Sequence, residues 1–208
     1  MRYDKFRTKY KNVPIITTQL LKLSGDYGHA LRIQILRWQK TGKIVKLRRN
    51  LYILNQEDRE IDASLQYISR ELYSPSYISL EYAMSEYSLI EEIVTDITCI
   101  STKKTIVCRN RLGRFVYKHV MKNCFTGFIE KQDTAGLTYL MASPEKAVVD
   151  YLYLNQSRFN GDYRKTLTET MGIRNTRILD KEKLNVYAGL FSSAKLVKLT
   201  EALMEIHT

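Results

Sequence analysis

The chain reads as an α+β protein in two unequal parts. A small N-terminal part of helices closes in a β-hairpin, and a larger mixed α/β part follows and ends in helices. Three observations predict this. Charge is divided sharply along the chain. Hydrophobic spacing switches from the helical to the strand period near Lys43. Beyond residue 62, helical stretches bracket a run of short β-branched and aromatic segments.

The charge division sets the boundary. The chain has 208 residues and a net charge of +11. Residues 1–56 hold 13 Lys/Arg against only Asp4 and Asp26, whereas residues 57–208 hold 20 of each sign, so the whole excess lies in the first quarter. "NQEDREID", residues 55–62, is polar and acidic and reads as a linker, which gives domains of 1–58 and 59–208. A strongly basic segment calls for an anionic partner. No apolar run approaches the roughly 20 residues of a membrane span, and no apolar core follows the charged N-terminus, so neither membrane nor secretory signal is expected and the cytoplasm is the expected compartment. Cys99, Cys108 and Cys124 are odd in number and lack CxxC spacing, which argues against a disulfide framework or a zinc site.

In the basic part, "MRYDKFRTKYKN" has helical potential and stops before Pro14. "TTQLLKLSG" offers Thr17 or Thr18 as an N-cap and Gly25 as a stop. In "GHALRIQILRWQKTG", Leu31, Ile35 and Trp38 form one apolar stripe of a helix ending at Gly42. Opposite the stripe lie His29, Ile33, Arg37 and Lys40, with Arg32 and Leu36 at its margins. In "KIVKLR" the period becomes two. Val45 and Leu47 share one face and Lys46 and Arg48 the other, with a turn at Asn50 and "LYIL" returning.

Three helices and a β-hairpin make a winged helix-turn-helix. There the third helix enters the major groove and the hairpin lies along the backbone or minor groove. Lys43, Lys46, Arg48 and Arg49 are then expected at phosphates, and Arg32, Arg37 and Lys40 at the groove. Trp38 continues the apolar stripe and belongs to the core. Ile33 and Leu36 either pack on the hairpin or meet thymine methyls.

In the second part, Ile61, Leu65, Ile68 and Leu72 recur at helical spacing, and "SYISLEYAMSEYSLI" reads as a short helix with Ser79 near its start. The segments "IVTDITCISTKKTIVC", "GRFVYKHVM", "FTGFIEKQ" and "GLTYLMA" read as strands. "SPEKAVVDYLYLN" opens as a helix, with Ser143 at the N-cap and Pro144 at the first position. Lys146 and Asp150 then form an i,i+4 pair, worth about 0.3 kcal/mol if exposed. Two helices finish the chain, the last showing Leu196, Leu199, Leu203 and Ile206. Between Ile97 and Ile129 there is no carboxylate. Lys103, Lys104, Arg109, Arg111, Arg114, Lys118 and Lys122 all fall there. They suit either solvated strand edges or contact with nucleic acid or an acidic protein.

Chemistry is sparse. His29, His119 and His207 have no metal-ligand spacing, and there is no nucleophile elbow or phosphate-cradling loop. Glu91 and Glu92 suit a solvated turn. A nuclease built on Asp96, Glu145 and Asp150 needs convergence that the sequence does not supply. No enzyme and no cofactor are expected.

Three stretches in order carry a family resemblance: "GKIVKLRRNLYIL", "YISLEYAMSEYSLI" and "SPEKAVVDYLYL". "TKK" at 102–104 and "FVYKHV" lie between the second and third. The chain resembles the AbiEi family, antitoxins of AbiE-type (type IV) abortive-infection toxin–antitoxin systems. Two positions depart from the family pattern, Asn50 and Ser88, where glycine is usual. The resemblance implies a bacterial phage-defence protein whose winged helix represses its own operon at promoter inverted repeats. It also implies that the second domain counteracts a nucleotidyltransferase-like toxin, without need of a stable complex. Lys103, Lys104, Arg109, Arg111, Arg114 and Lys118 are the candidate antitoxicity patch. The alternative is a winged-helix transcriptional regulator whose second domain senses a ligand or dimerises.

Overall fold

The computed structural model describes residues 1–170 and 172–206. His207 lies outside them. The fold is mixed α and β, with a helical N-terminal part and a larger mixed sheet.

The N-terminal part contains α1 (Tyr3–Tyr10), β1 (Ile16–Thr17), α2 (Thr18–Leu23), α3 (His29–Lys40), β2 (Ile44–Arg48) and β3 (Leu51–Leu54). Strand β1 was not legible as a strand. It adds to the hairpin and gives a sheet of order β1-β3-β2. Helix α2 starts where Thr17 Oγ1 accepts the amide of Leu20 at 3.0 Å. Helix α3 turns its apolar stripe inward, and Leu31, Ile35 and Trp38 are buried with Phe6, Leu21, Ile44 and Leu54. Trp38 sits between the Tyr3 and Phe6 rings, with centroids 5.2 and 5.0 Å away. It is a core residue, as its place in the stripe implies.

The hairpin departs from simple alternation. Val45 opposes Ile53 and Lys46 opposes Tyr52, but the register then shifts at Leu47, so that Arg48 opposes Leu51. Directly opposed residues share a face, so Lys46 and Arg48 lie on opposite faces rather than the same one. Lys46 emerges with Tyr52, whereas Arg48 emerges with Leu51. The extra residue, Leu47, is buried, and that burial holds the shift in place. Asn50 makes the turn at φ 66°, and its carbonyl accepts the Thr18 amide at 3.0 Å.

The second part is built on α4 (Leu65–Leu72), β4 (Ser76–Ile78), α5 (Leu80–Glu86), β5 (Ile97–Ser101), β6 (Ile106–Asn110), β7 (Gly113–His119), β8 (Phe128–Gln132), β9 (Thr138–Ala142) and α6 (Pro144–Leu154). The short turn α7 (Tyr163–Lys165) follows, then α8 (Lys181–Gly189) and α9 (Ala194–Glu205). The six strands run in the order β6-β7-β5-β4-β9-β8. "SYISLEYAMSEYSLI" is therefore not one helix. Its first three residues are a central strand, antiparallel to β5 and parallel to β9. Ser76, Tyr77 and Ile78 are all buried, and a three-residue strand covered on both faces shows no alternation to read. "IVTDITCISTKKTIVC" is likewise two strands, β5 and β6.

Helix α4 covers one face of this sheet, where the Tyr117 hydroxyl donates to the Ser69 carbonyl at 2.6 Å. Helices α5 and α6 cover the other, and α8 and α9 pack on α6. Ser143 caps α6, accepting the Lys146 amide at 3.3 Å. Both side chains of the Lys146–Asp150 pair are fully buried, so the small value of an exposed pair does not apply to it. Asp150 also accepts the Tyr77 and Ser79 hydroxyls, each at 2.9 Å. The Lys146 ammonium lies 4.8 Å from the Phe191 ring centroid. Helices α8 and α9 close over the side of α6 that would otherwise meet water.

The two parts share apolar packing. Ile15, Leu47, Leu51 and Ile53 belong to the hydrophobic core of the second part. Asn110 Nδ2 donates to the Leu47 carbonyl at 3.2 Å. The acidic linker folds back over α1, where Asp58 accepts the Tyr3 hydroxyl at 2.7 Å and Arg7 at 3.2 Å, and Glu60 meets Lys11 at 2.5 Å. Among the described residues, no helix is long and apolar enough to cross a membrane.

Candidate nucleic-acid interface

The basic excess is unevenly neutralised. On α1, Arg7, Lys9 and Lys11 are paired with Asp58, Asp26 and Glu60. Asp26 accepts both Lys9 and the Tyr10 hydroxyl at 2.6 Å, which holds its carboxyl below the usual range. The opposite side differs. Lys22, Arg32, Arg37, Lys40, Lys46, Arg48 and Arg49 are exposed, and none forms an ion pair with a described residue. Lys43 is also exposed, but its ammonium sits 4.5 Å from the Tyr3 ring centroid, at the α1 end of the hairpin.

Between α3 and the hairpin turn runs a groove of about 420 Å³. Arg32, Leu36 and Gln39 line it from α3, Arg49, Asn50 and Tyr52 from the hairpin, and Lys22 and Tyr27 from α2 and its loop. The Tyr52 hydroxyl is raised above its ordinary pKa mainly by burial, with the Tyr27 phenol adding and the Arg32 charge opposing. Arg32 and Arg49 are thus brought together, with Lys22 added. Lys22, Tyr27, Gln39 and Tyr52 were not singled out from sequence. Their only signal was Lys22's membership of the basic segment, since nothing local says that α2 borders the turn.

The remaining candidates spread outward. Arg37 lies about 140° around the α3 axis from Arg32, at ~100° per residue. Lys40 lies between them, facing outward at the helix end. Arg48 turns the other way because of the register shift. It borders a second groove of about 510 Å³, with Thr18, Lys22, Arg49 and Glu71 of α4. Its charge acts on Cys108, whose thiol is raised by burial and lowered by Arg48. Arg48 therefore stands where the two parts meet.

The second patch is not one surface. Arg109 and Arg114 oppose each other across β6 and β7. Arg114 and Lys118 share that sheet face, and Arg114 is paired with Asp96. Lys103 and Lys104 precede β6 and Arg111 follows it, at opposite ends of that strand. The Lys103 ammonium lies 5.4 Å from the Tyr73 ring centroid and bonds the Ser74 carbonyl. Lys122 stands apart in a short 3-10 turn. A cleft of about 550 Å³ opens beside Arg114 and Lys118, walled by Leu80, Val94, Val116 and Leu154. Leu80 holds φ 61° there, an uncommon backbone for a bulky residue.

The carboxylates weighed for catalysis are held by protein partners. Asp96 pairs with Arg114, Glu145 accepts the Asp180 amide at 3.2 Å, and Asp150 is buried with Lys146. Glu91 pairs with Arg174. Among the described residues, no group of three or more His, Cys, Asp or Glu is placed to hold a metal ion. His119 is exposed, its Nδ1 3.1 Å from the Lys103 carbonyl oxygen.

No family model matches the chain, and no curated protein matches it.

Proposed function

We propose that this chain is an antitoxin and DNA-binding autorepressor of a type IV toxin–antitoxin operon. Its N-terminal part is a winged helix-turn-helix, with α3 as the major-groove helix and the β2–β3 hairpin as the wing. The observation that carries the DNA-binding half is the one-sided distribution of cations. Arg7, Lys9 and Lys11 are neutralised by the linker and Asp26, whereas the cations on α3 and the turn have no carboxylate partner among the described residues. Phosphates supply the missing negative charge and lose condensed counterions on binding. The antitoxin half rests on the family resemblance. Asn50 and Ser88, where that pattern has glycine, hold φ 66° and 55°, the backbone that glycine adopts at little cost.

The test of the first half is a gel shift of the full-length chain on the DNA upstream of its own gene. Affinity should fall with salt, with a log–log slope near −0.9 for each phosphate contacted. Absence of any shift at low salt removes the DNA-binding reading. For the second half, full-length chain is co-expressed with the nucleotidyltransferase-like product of a neighbouring gene. Growth that is not restored removes the antitoxin reading.

A regulator with a ligand-sensing second domain is the second reading. The cleft of about 550 Å³ favours it: apolar walls with a few polar groups suit a small ligand, and Glu81, Glu92 and Asp96 line it together with Arg114 and Lys118. Growth restored without any added ligand separates the two.

A further inference from the structure

Helix α3 carries two large apolar side chains that the fold does not use. Ile33 is 38% exposed and Leu36 59% exposed. Leu36 borders the groove beside the hairpin without closing it, and Ile33 lies outside that groove's lining. At ~100° per residue, Leu31, Ile35 and Trp38 cluster on the core side of α3, and Ile33 and Leu36 fall within about 50° of the point diametrically opposite. Lys40 shares that outer face. Arg32 flanks it on one side and Arg37 on the other. None of these three cations is ion-paired with a described residue.

This arrangement matches one partner. A helix about 10–12 Å across fills a major groove about 12 Å wide. Cations on its flanks then face the two phosphate ridges, and the outermost side chains face base edges. The apolar group on those edges is the thymine 5-methyl. We infer that Ile33 and Leu36 read thymine methyls, making them specificity-determining residues. The inference rests on the DNA-binding reading above. A second copy of the chain fits the face poorly, because it would bring like cations together. A lipid surface would find only two apolar side chains, since the rest of the stripe is buried in the core.

The experiment uses the full-length chain. Duplexes are selected from a random pool at a salt concentration that suppresses non-specific binding. They are then resynthesised with deoxyuridine replacing thymidine one position at a time, which removes the methyl alone. A contacted methyl should be worth about fourfold in affinity. Leu36→Ala or Ile33→Ala should erase the response at its own position while the cooperative thermal transition is kept, with the smaller shift in Leu36→Ala because Leu36 is the more exposed of the two. If deoxyuridine has no effect anywhere in a specifically bound duplex, the inference is overturned and DNA binding stands. The same holds if both alanine variants keep the full response. No binding to any duplex, with or without retention on anionic phosphatidylserine vesicles, overturns both readings.

Discussion

At the residue scale, backbone and charge make separate demands. Ser88 follows α5 with φ 55°, and its side chain is exposed. A left-handed residue with a Cβ costs about 1 kcal/mol, so Ser88→Gly should raise Tm by about 2–4 °C in thermal unfolding. The Lys146–Asp150 pair makes the opposite point. Two fully buried charges hold each other, and removing one leaves the other uncompensated. Lys146→Met should cost about 3–5 kcal/mol in urea unfolding, and adding Asp150→Leu should recover only part of it, because the Tyr77 and Ser79 hydroxyls lose their acceptor. Asp133 gives a pH signature. Burial raises its carboxyl pKa, but amide bonds from Ser64, Leu137 and Ala135 outweigh this and hold it below the ordinary value. A depressed pKa stabilises the fold fully above the ordinary carboxylate range, and that stability is lost as pH falls through the range. Asp133→Asn should shrink the drop in urea midpoint between neutral pH and about pH 3.

At the element scale, the hairpin decides which cations act together. Period-two reading places Lys46 and Arg48 on one face, but the register shift at Leu47 turns Arg48 toward α4 and leaves Arg49 in the groove beside α3. On the DNA-binding reading the two arginines are unequal. Arg49→Glu should weaken operator binding at least tenfold more than Arg48→Glu, measured as Kd at a single salt concentration. Equal losses would mean that the wing meets DNA along its whole tip. The shift was hidden in the sequence because the residue that causes it, Leu47, is an ordinary strand residue. Only the core waiting for it on the second part makes the extra residue favourable.

At the scale of the whole molecule, the charge boundary and the packing boundary do not coincide. The charge excess ends before residue 57, yet Ile15, Leu47, Leu51 and Ile53 are buried in the core of the second part. The small sheet is therefore covered on both faces, by its own helices and by the larger part. A fragment of residues 1–58 uncovers four large side chains, each worth roughly 1.5–3 kcal/mol when buried. It should unfold at a much lower temperature than the same region within the full chain, followed by Trp38 fluorescence. A fragment as stable as the whole would show that this contact adds little. A hairpin seated this way is held in place by the second part.

Much of this was legible in local pattern. The stripe of Leu31, Ile35 and Trp38, a threonine cap at 17 or 18, the Ser143 cap, the turn at Asn50 and the basic excess before residue 57 are encoded within a few residues of where they act. Periodicity, capping and charge are local properties and need no partner to be seen. The tertiary structure decided the rest: that "SYI" is a central strand, that Lys146 and Asp150 are buried, that Arg48 turns away from Lys46, and that Lys22 and Tyr52 border Arg32. Each depends on what packs against the residue from a distant part of the chain. Burial and adjacency are properties of the assembled fold, and no local spacing records them.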